Sequence, residues 1–349
     1  MKVADLFCGV GGLSQGFVWA GCKIALGIEH DPEIALSYKK NHPDTDVYVN
    51  DIRNLDFKEI HQKHPIIDIV IGGPPCQGFS QKGKRLNLED PRNFLFQSFV
   101  DFVAEFSPKY FVLENVPEII TTSGGFFCNE IISAFKQIGY SVRYGVLNAA
   151  DFGVPQDRRR AVFIGKRGDQ YIELPHPCGQ RSTIKDAIYD LPFIESGCGS
   201  EISGYETPAT SPLQQFLRAD STILYNHVAT RHSKIALERL ALIPIGGGRE
   251  ALPPEHRTKS IYSGTWCRLL ENGLASTITT RFDTPSSGRF THPVLNRCLT
   301  VREAARIQTF PDSFRFYGSK TCQMKQVGNA VPPLLSLAIA TQITNNENL

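Results

Sequence analysis

The sequence predicts an α/β fold in which a mostly parallel sheet carries helices on both faces and joins a smaller, irregular domain. The β-branched run Ile66–Ile71 is typical of a strand that is buried on both faces of a parallel sheet. Comparable apolar runs alternate with helical patterns as far as about Leu174, where the periodicity weakens and proline and glycine become more frequent. Alternating strands and helices followed by irregular sequence indicate a sheet domain and a second, less regular one.

This pattern divides the chain into three segments. Residues 1–180 form the predicted sheet domain, and residues 181–296 form the irregular domain, in which only Ser233–Leu242 has a clear helical pattern. The final apolar helix, Val331–Ala340, has prolines at its start and needs a sheet to cover. We therefore expect residues 297–349 to return to the first domain.

The composition narrows the class of protein. Of the 349 residues 41% are hydrophobic, and no apolar run approaches the ~20 residues needed to span a membrane. The N-terminus leads directly into a strand, so no signal peptide is expected. The nine cysteines are scattered without a C-x-x-C pair, which predicts neither a disulfide framework nor a metal site. These features favour a reduced, cytoplasmic protein without a membrane segment.

Charge is distributed unevenly along the chain. Residues 205–297 contain eleven Lys and Arg against seven Asp and Glu, an excess of four positive charges, and four of the nine histidines. A basic, histidine-rich segment hints at nucleic acid, although a solvated surface explains the same count.

Three successive predicted strands end in residues suited to a nucleoside. The first strand, from Lys2, leads into the glycine turn Gly9–Gly12. The second ends at Glu29, 20 residues after Gly9, where nucleotide-binding α/β units place the acid that holds ribose hydroxyls. The third ends at Asp51. The turn lacks the G-x-G-x-x-G spacing and no Walker lysine follows, which argues against NAD and ATP.

Two reactive side chains follow the next strands at the same predicted sheet edge. Cys76 lies on a stiff loop after Ile66–Ile71, where it is either a nucleophile or a buried structural thiol. Glu114 follows the strand Lys109–Leu113 and is either a site residue or a capped surface acid. Because Arg158 and Arg160 would share one face of a later strand, their guanidinium groups could bind a carbonyl oxygen and an anion.

With these residues in view, the chain resembles the C5-cytosine DNA methyltransferases. The resemblance rests on seven motifs that occur in the family's order from residue 5 to about residue 331. They are Asp5-Leu6-Phe7-Cys8-Gly9-Val10-Gly11-Gly12, Gly73-Pro74-Pro75-Cys76-Gln77-Gly78-Phe79-Ser80, Asp90-Pro91-Arg92-Asn93, Glu114-Asn115-Val116, Gln156-Asp157-Arg158-Arg159-Arg160, Arg302-Glu303-Ala304-Ala305-Arg306-Ile307-Gln308 and Gln326-Val327-Gly328-Asn329-Ala330-Val331. The implied fold is the Rossmann-like fold of AdoMet-dependent methyltransferases.

The resemblance implies S-adenosylmethionine (AdoMet) as cofactor, S-adenosylhomocysteine as product and no metal. Phe7 would lie against the adenine and the turn backbone would hold the methionine portion, while Glu29 takes the ribose and Asp51 the adenine amino group. The implied cofactor pocket consists of Phe7, Cys8, Gly9, Val10, Gly11, Gly12, Glu29, Asp51, Ile52, Pro75, Leu95, Asn329 and Val331.

The resemblance also implies the chemistry. Cys76 as thiolate would add to C6 of a flipped cytosine, Glu114 would share or donate a proton at N3, and Arg160 would bind the O2 carbonyl. Arg158 would hold the loop or the base. Residues 77–92, a cationic loop, would close over the flipped nucleotide, and residues 181–296 would recognise the target sequence. The expected DNA contacts are Gln77, Ser80, Arg92 and Thr277, with Thr279 as the rival of Thr277.

The expected partner is double-stranded DNA in the nucleoid, bound by a monomer, with a restriction endonuclease as a possible functional counterpart. A solitary DNA methyltransferase fits the same sequence. A tRNA-methylating branch shares the fold and motifs, but its Cys-Phe-Thr signature is absent here. A catalytically dead DNA-binding module would not need Cys76 and Glu114, and a cysteine hydrolase would need a partnered histidine that the motifs lack.

Overall fold

The computed structural model describes residues 1–75, 93–258 and 264–347, and the elements below lie within them. The strands are β1 (Lys2–Leu6), β2 (Lys23–Glu29), β3 (Asp46–Val49), β4 (Ile69–Gly72), β5 (Tyr110–Asn115), β6 (Tyr140–Asn148), β7 (Gln156–Asp157), β8 (Arg159–Arg167), β9 (Gly199–Ser203), β10 (Leu224–Val228) and β11 (Ala275–Ser276). The α-helices are α1 (Gly12–Trp19), α2 (Pro32–Asn41), α3 (Phe57–Lys63), α4 (Asn93–Phe106), α5 (Glu118–Thr121), α6 (Phe126–Gln137), α7 (Ile184–Ile188), α8 (Pro212–Arg218), α9 (Lys234–Leu242), α10 (Val301–Ile307), α11 (Lys320–Asn329) and α12 (Pro333–Glu347).

Seven of the described strands form one sheet in the order β3-β2-β1-β4-β5-β8-β6. Strands β1 to β5 pair in parallel, whereas β8 runs antiparallel to both β5 and β6. The prediction of a mostly parallel α/β sheet is therefore confirmed. The strand order reverses between β1 and β4, so the crevice beyond their carboxyl ends is the usual ligand position in such a sheet.

Alternate residues of the strands face two separate layers of helices. Ala4 and Leu6 of β1 belong to the same buried cluster as Phe102 of α4 and Phe135 of α6. Asp5, between Ala4 and Leu6, faces the opposite side, where its carboxylate accepts a hydrogen bond from Ser14 of α1. Helices thus cover both faces of the sheet, as predicted.

Two compact units divide the chain. Unit 1 comprises residues 1–148, 159–178 and 333–349, and therefore contains the whole seven-stranded sheet and α12. Helix α12 packs closely on α1, since a Cβ on Gly16 would lie 2.4 Å from the backbone nitrogen of Leu337. The last helix of the chain thus packs in the sheet unit.

Unit 2 comprises residues 149–158 and 179–332. The sequence pattern grouped residues 297–349 as one segment that returns to the first domain. In the structure residues 297–332 belong to unit 2, and only the part that contains α12 belongs to unit 1. The unit also contains α7 and α8, which weak periodicity did not predict. Buried arginines hydrogen-bond to the backbone in the interior of unit 2. Arg302, for example, donates hydrogen bonds to the carbonyl oxygens of Tyr225 and Pro311.

Candidate active site

The turn after β1 exposes backbone at the carboxyl edge of the sheet. Phe7 and Gly9 have positive φ angles of 59° and 55°, and Gly11, the residue that precedes α1, has a φ of 98°. A Cβ built on Gly9 would meet nothing within 4 Å, so the space beside this residue is open. An open turn followed by the first N–H groups of a helix is suited to holding an anionic or polar ligand.

Glu29 at the end of β2 is joined directly to this turn. Its Oε2 accepts a hydrogen bond of 3.0 Å from Gly9 N, and its Oε1 accepts one of 2.8 Å from Asp31 N. The residue is 6% exposed. Because each carboxylate oxygen can accept more than one hydrogen bond, Glu29 can bind a pair of hydroxyl groups while it holds the turn.

Asp51 lies just beyond β3 and is held as an ionised acceptor. Hydrogen bonds from Arg53 lower the pKa of Asp51 to about 2, and the side chain is 31% exposed. Ile52 beside it is buried, Leu95 of α4 packs against the same core, and Pro75 is exposed. Unit 1 thus provides a carboxylate beside apolar surface, which suits an adenine ring carrying an amino group.

Glu114 and Arg160 form an ion pair at the end of β5 and the start of β8. The contact between Glu114 Oε1 and Arg160 Nε is 2.8 Å, and the side chains are 12% and 14% exposed. A Cβ on Gly73 would lie 2.9 Å from Glu114 Oε2, and Asn115 Nδ2 donates to the carbonyl oxygen of Pro74 at 3.0 Å. The chain that leads to Cys76 is therefore fastened beside the carboxylate of Glu114.

Arg158 does not share a strand face with Arg160, contrary to the pattern expected from the sequence. Strand β8 begins only at Arg159, and Arg158 is 1% exposed. Its guanidinium donates to the carbonyl oxygens of Ile278 at 3.1 Å and Gly328 at 2.9 Å. These contacts hold backbone within unit 2; the expected role of Arg158 in holding the loop or the base stays a prediction.

Two buried glutamines that the sequence did not single out make further hydrogen bonds within unit 2. Gln156 Nε2 donates to Gln308 Oε1 at 2.9 Å, and Gln156 Oε1 accepts from Ile278 N at 2.8 Å. Thr277 Oγ1 donates to the carbonyl oxygen of Asp157 at 2.9 Å, and Thr277 is partly buried. Both glutamines lie in the motifs that carry the family resemblance. Nothing in the local sequence indicates that their side chains are buried.

The remaining expected site residues fall in two groups. Asn329, which is exposed, and Val331, which is buried, belong to unit 2. Cys76, Gln77, Ser80 and Arg92 lie outside the described residues, as does the whole of the predicted cationic loop 77–92.

The described residues contain no group of three or more His, Cys, Asp or Glu placed to hold a metal ion. Within the same residues no helix has both the length and the apolar character required to cross a membrane.

Comparison with known proteins assigns a family to this arrangement. The profile of the C-5 cytosine-specific DNA methylases matches residues 1–345. The chain is 38% identical to the type II methyltransferase M.DdeI of Desulfomicrobium norvegicum, covering 99% of this chain and 88% of that protein. It is 39% identical to the type II methyltransferase M1.HphI of Haemophilus parahaemolyticus, covering 97% and 85% respectively.

Solved structures agree with the fold. A prophage-encoded protein of E. coli, assigned as a DNA modification methyltransferase, superimposes with a TM-score of 0.82 at 30% identity over the full length of both chains. The Dnmt2 methyltransferase of S. pombe superimposes with a TM-score of 0.65 at 16% identity, a likeness of fold alone.

Proposed function

The chain belongs to the C-5 cytosine-specific DNA methylase family and is a DNA cytosine-5 methyltransferase, and from this premise we propose how its own residues perform the reaction. The proposed substrate is one cytosine within a short, specific sequence of duplex DNA, and the proposed methyl donor is AdoMet. The observation that carries the proposal is the Glu114–Arg160 pair, 2.8 Å apart, beside the chain that leads to Cys76.

The residues around the glycine turn fit AdoMet. When bound, this cofactor supplies an electrophilic methyl group. The open backbone at Gly9 would receive the methionine portion, Glu29 the ribose hydroxyls, and Asp51 the adenine amino group. Phe7 and Ile52 would supply apolar contacts to the ring. The hydrogen bond from Gly9 to Glu29 supports this assignment because it couples the two halves of the pocket.

The proposed chemistry begins with the thiolate of Cys76, which forms a bond to C6 of the cytosine and pushes electrons towards C5. Glu114 donates or shares a proton at N3, and Arg160 donates a hydrogen bond to O2, so the ring accepts the electron pair more readily. C5 then takes the methyl group. Loss of the proton from C5, elimination of the Cys76 sulfur as thiolate and return of the N3 proton to Glu114 restore the aromatic ring and release 5-methylcytosine.

The cytosine must leave the duplex for these groups to reach it, at a cost of a few kcal/mol. We propose that unit 2 reads the sequence from the major groove and that Thr277, partly buried and hydrogen-bonded to the backbone of Asp157, contacts the strand beside the flipped base. Gln77, Ser80 and Arg92 are the proposed contacts from the loop after Cys76. Arg158 is proposed to support this region through its backbone contacts.

The proposed biological setting is bacterial restriction–modification, since the relatives compared above are type II methyltransferases. In that setting the enzyme acts in the cytoplasm as a monomer and protects the sites of a partner endonuclease. A solitary methyltransferase and a tRNA methyltransferase are the rival proposals, and the lack of the Cys-Phe-Thr signature favours DNA.

The proposal is tested by incubating the protein with labelled AdoMet and either duplex DNA or tRNA. We expect label in DNA only, as 5-methylcytosine; label in tRNA alone would refute the DNA assignment. Duplexes in which 5-fluorocytosine replaces the target cytosine cannot lose a proton from C5, so a covalent complex should persist under denaturing conditions. Cys76→Ser should abolish that complex, whereas Cys178→Ser, at an exposed cysteine, should retain it. A complex formed equally by Cys76→Ser would refute the nucleophile.

A further inference from the structure

Two side chains of α2 lie directly behind the glycine turn. Tyr38 is fully buried and His42, which follows the helix, is 6% exposed, and their ring centroids are 4.7 Å apart. A Cβ on Gly11 would lie 2.6 Å from His42 Nε2 and 3.0 Å from Tyr38 Cδ2. These two rings therefore pack directly against Gly11, whereas the space beside Gly9 is open.

Tyr38 is itself held from three elements. Its hydroxyl lies 2.8 Å from Ser14 Oγ of α1, and Ser14 Oγ donates to Asp5 Oδ2 of β1 at 2.6 Å. Its ring packs on β2, since a Cβ on Gly27 would lie 2.8 Å from Tyr38 Cε1. A buried, hydrogen-bonded tyrosine of this kind has little freedom to move. Its contacts with α1 and β2, and through Ser14 with β1, therefore fix the position of the ring that packs against Gly11.

His42 acts by shape and hydrogen bonding. Burial lowers the pKa of His42 to about 4, and a hydrogen bond with the Gly11 backbone only partly opposes this. The imidazole is therefore neutral at pH 7 and brings no charge to the turn. Burial raises the pKa of Tyr38, and the Cys8 thiol and the Asp5 carboxyl raise it further, so its hydroxyl also stays neutral.

We propose that Tyr38 and His42 are positioning residues that hold Gly11 and the turn from Cys8 to Gly12 in the backbone conformation that accepts AdoMet. They act through the turn and do not touch the cofactor. This inference rests on the proposed use of AdoMet. Its consequence is specific: loss of either contact weakens cofactor binding and raises the KM for AdoMet, whereas kcat at saturating AdoMet and the KM for DNA stay unchanged.

The test compares two tyrosines that each lose one buried hydroxyl contact. Tyr38→Phe removes the contact with Ser14, and the matched control Tyr140→Phe removes the 2.6 Å hydrogen bond to the carbonyl oxygen of Pro108 elsewhere in unit 1. Binding of S-adenosylhomocysteine to the full chain is measured by isothermal titration calorimetry. We expect Tyr38→Phe to raise the Kd about fivefold, the worth of one hydrogen bond, and Tyr140→Phe to leave it unchanged. Urea unfolding of both variants measures the general loss of stability, which should be similar.

A second pair of variants tests His42. His42→Leu keeps bulk but loses the hydrogen bond with Gly11 and should raise the Kd about tenfold, whereas His42→Gln keeps an amide and should recover part of the affinity. An equal Kd for Tyr38→Phe and Tyr140→Phe, or a fall in kcat at saturating AdoMet with an unchanged Kd, would overturn the inference. If the wild-type protein itself binds no S-adenosylhomocysteine, the proposed cofactor is wrong, which is a different failure.

Discussion

Units 1 and 2 use guanidinium–carboxylate pairs in opposite ways. In unit 1 the pair of Glu114 and Arg160 is 12% and 14% exposed at the carboxyl edge of the sheet. In unit 2 Arg306 is fully buried, and its nitrogens donate to both carboxylates of Asp190 and Asp312 at 2.6–3.2 Å. The first pair can be reached by a ligand, and the second cannot.

The difference separates motif residues that are proposed to perform chemistry from motif residues that stabilise the fold. A buried ion pair whose donors and acceptors are satisfied fixes one arrangement of the chain, and breaking it leaves an uncompensated charge. Arg297 and Glu303 repeat this design with hydrogen bonds of 2.7 and 2.8 Å. In unit 2 the Arg306–Asp190 pair joins positions 116 residues apart in the sequence, whereas Glu114 and Arg160 remain partly exposed.

The largest expected effect is on catalysis at the Glu114–Arg160 pair. Glu114→Gln cannot donate a carboxyl proton and should lower kcat for methylation of DNA by about 10²- to 10⁴-fold, with a loss of about 1–3 kcal/mol in the free energy of unfolding because Arg160 loses its charged partner. Steady-state kinetics and urea unfolding measure the two quantities. Glu173→Gln, in the exposed pair with Arg143, is the control and should have normal kcat. Normal activity of Glu114→Gln would contradict the role proposed for the pair.

The buried pair should show the reverse pattern. Arg306→Met leaves Asp190 and Asp312 without their main cationic partner and should lower the free energy of unfolding by about 3–5 kcal/mol. Arg143→Met breaks an exposed pair with Glu173 and should cost about 0–1 kcal/mol. Urea midpoints measure both. If Arg306→Met folds with normal stability but lacks activity, Arg306 is not a structural residue, and the contrast between a catalytic pair in unit 1 and a structural pair in unit 2 is wrong.

Buried carboxyl groups of the two units should respond to pH with opposite signs. Burial raises the pKa of Asp5 in unit 1 from 3.8 to about 7, so its contribution to stability is present below about pH 4 and is lost as the pH rises to 7. Burial also opposes ionisation of Glu303 in unit 2, but Arg297 outweighs it and lowers the pKa of Glu303, so stability is lost as the pH falls below about 4.

The variant Asp5→Asn isolates the contribution of Asp5 to the pH dependence of stability. The wild-type urea midpoint, measured relative to that of the variant, should fall as the pH rises from about 4 to 7, because the variant has no proton to lose at this position. Equal slopes for the two proteins would mean that Asp5 is ionised throughout, contrary to its burial.

The smallest expected effect concerns contact with DNA in unit 2. Thr277→Val loses the hydrogen bond to Asp157 and the proposed DNA contact, and should raise the KM for DNA about fivefold with little change in kcat or stability. Thr279→Val is the matched comparison, since Thr279 Oγ1 bonds only locally, to the carbonyl oxygen of Arg281. Steady-state kinetics with DNA as the varied substrate decides between them, and a larger effect of Thr279→Val would reverse the assignment.

The sheet and its edge were predictable because their signals are local. Apolar β-branched runs followed by a glycine turn or an acid mark the ends of β1, β2 and β5, and the structure places Glu29 and Glu114 at such ends. Helices α7 and α8 were missed although each carries a local signal, the capping boxes Thr183–Asp186 and Ser211–Gln214, because their short length hides the apolar period.

The framework of unit 2 could not be predicted in the same way. Arg158 is buried by carbonyl oxygens that lie 120 and 170 residues away in the sequence, at Ile278 and Gly328. No local pattern distinguishes that arginine from the neighbouring Arg160, which pairs with Glu114. Similarly, the buried contact between Gln156 and Gln308 joins positions 152 residues apart. Long-range hydrogen bonds of this kind emerge only when the chain is folded.

The central claim is that the protein methylates cytosine in one DNA sequence, with Cys76 as the proposed nucleophile. Bisulfite sequencing of DNA from a host expressing the wild-type protein, Cys76→Ser or Cys178→Ser tests it most directly. We predict near-complete methylation of a single short motif with the wild type and Cys178→Ser, and none with Cys76→Ser. Scattered methylation, or an unchanged pattern with Cys76→Ser, would contradict the account.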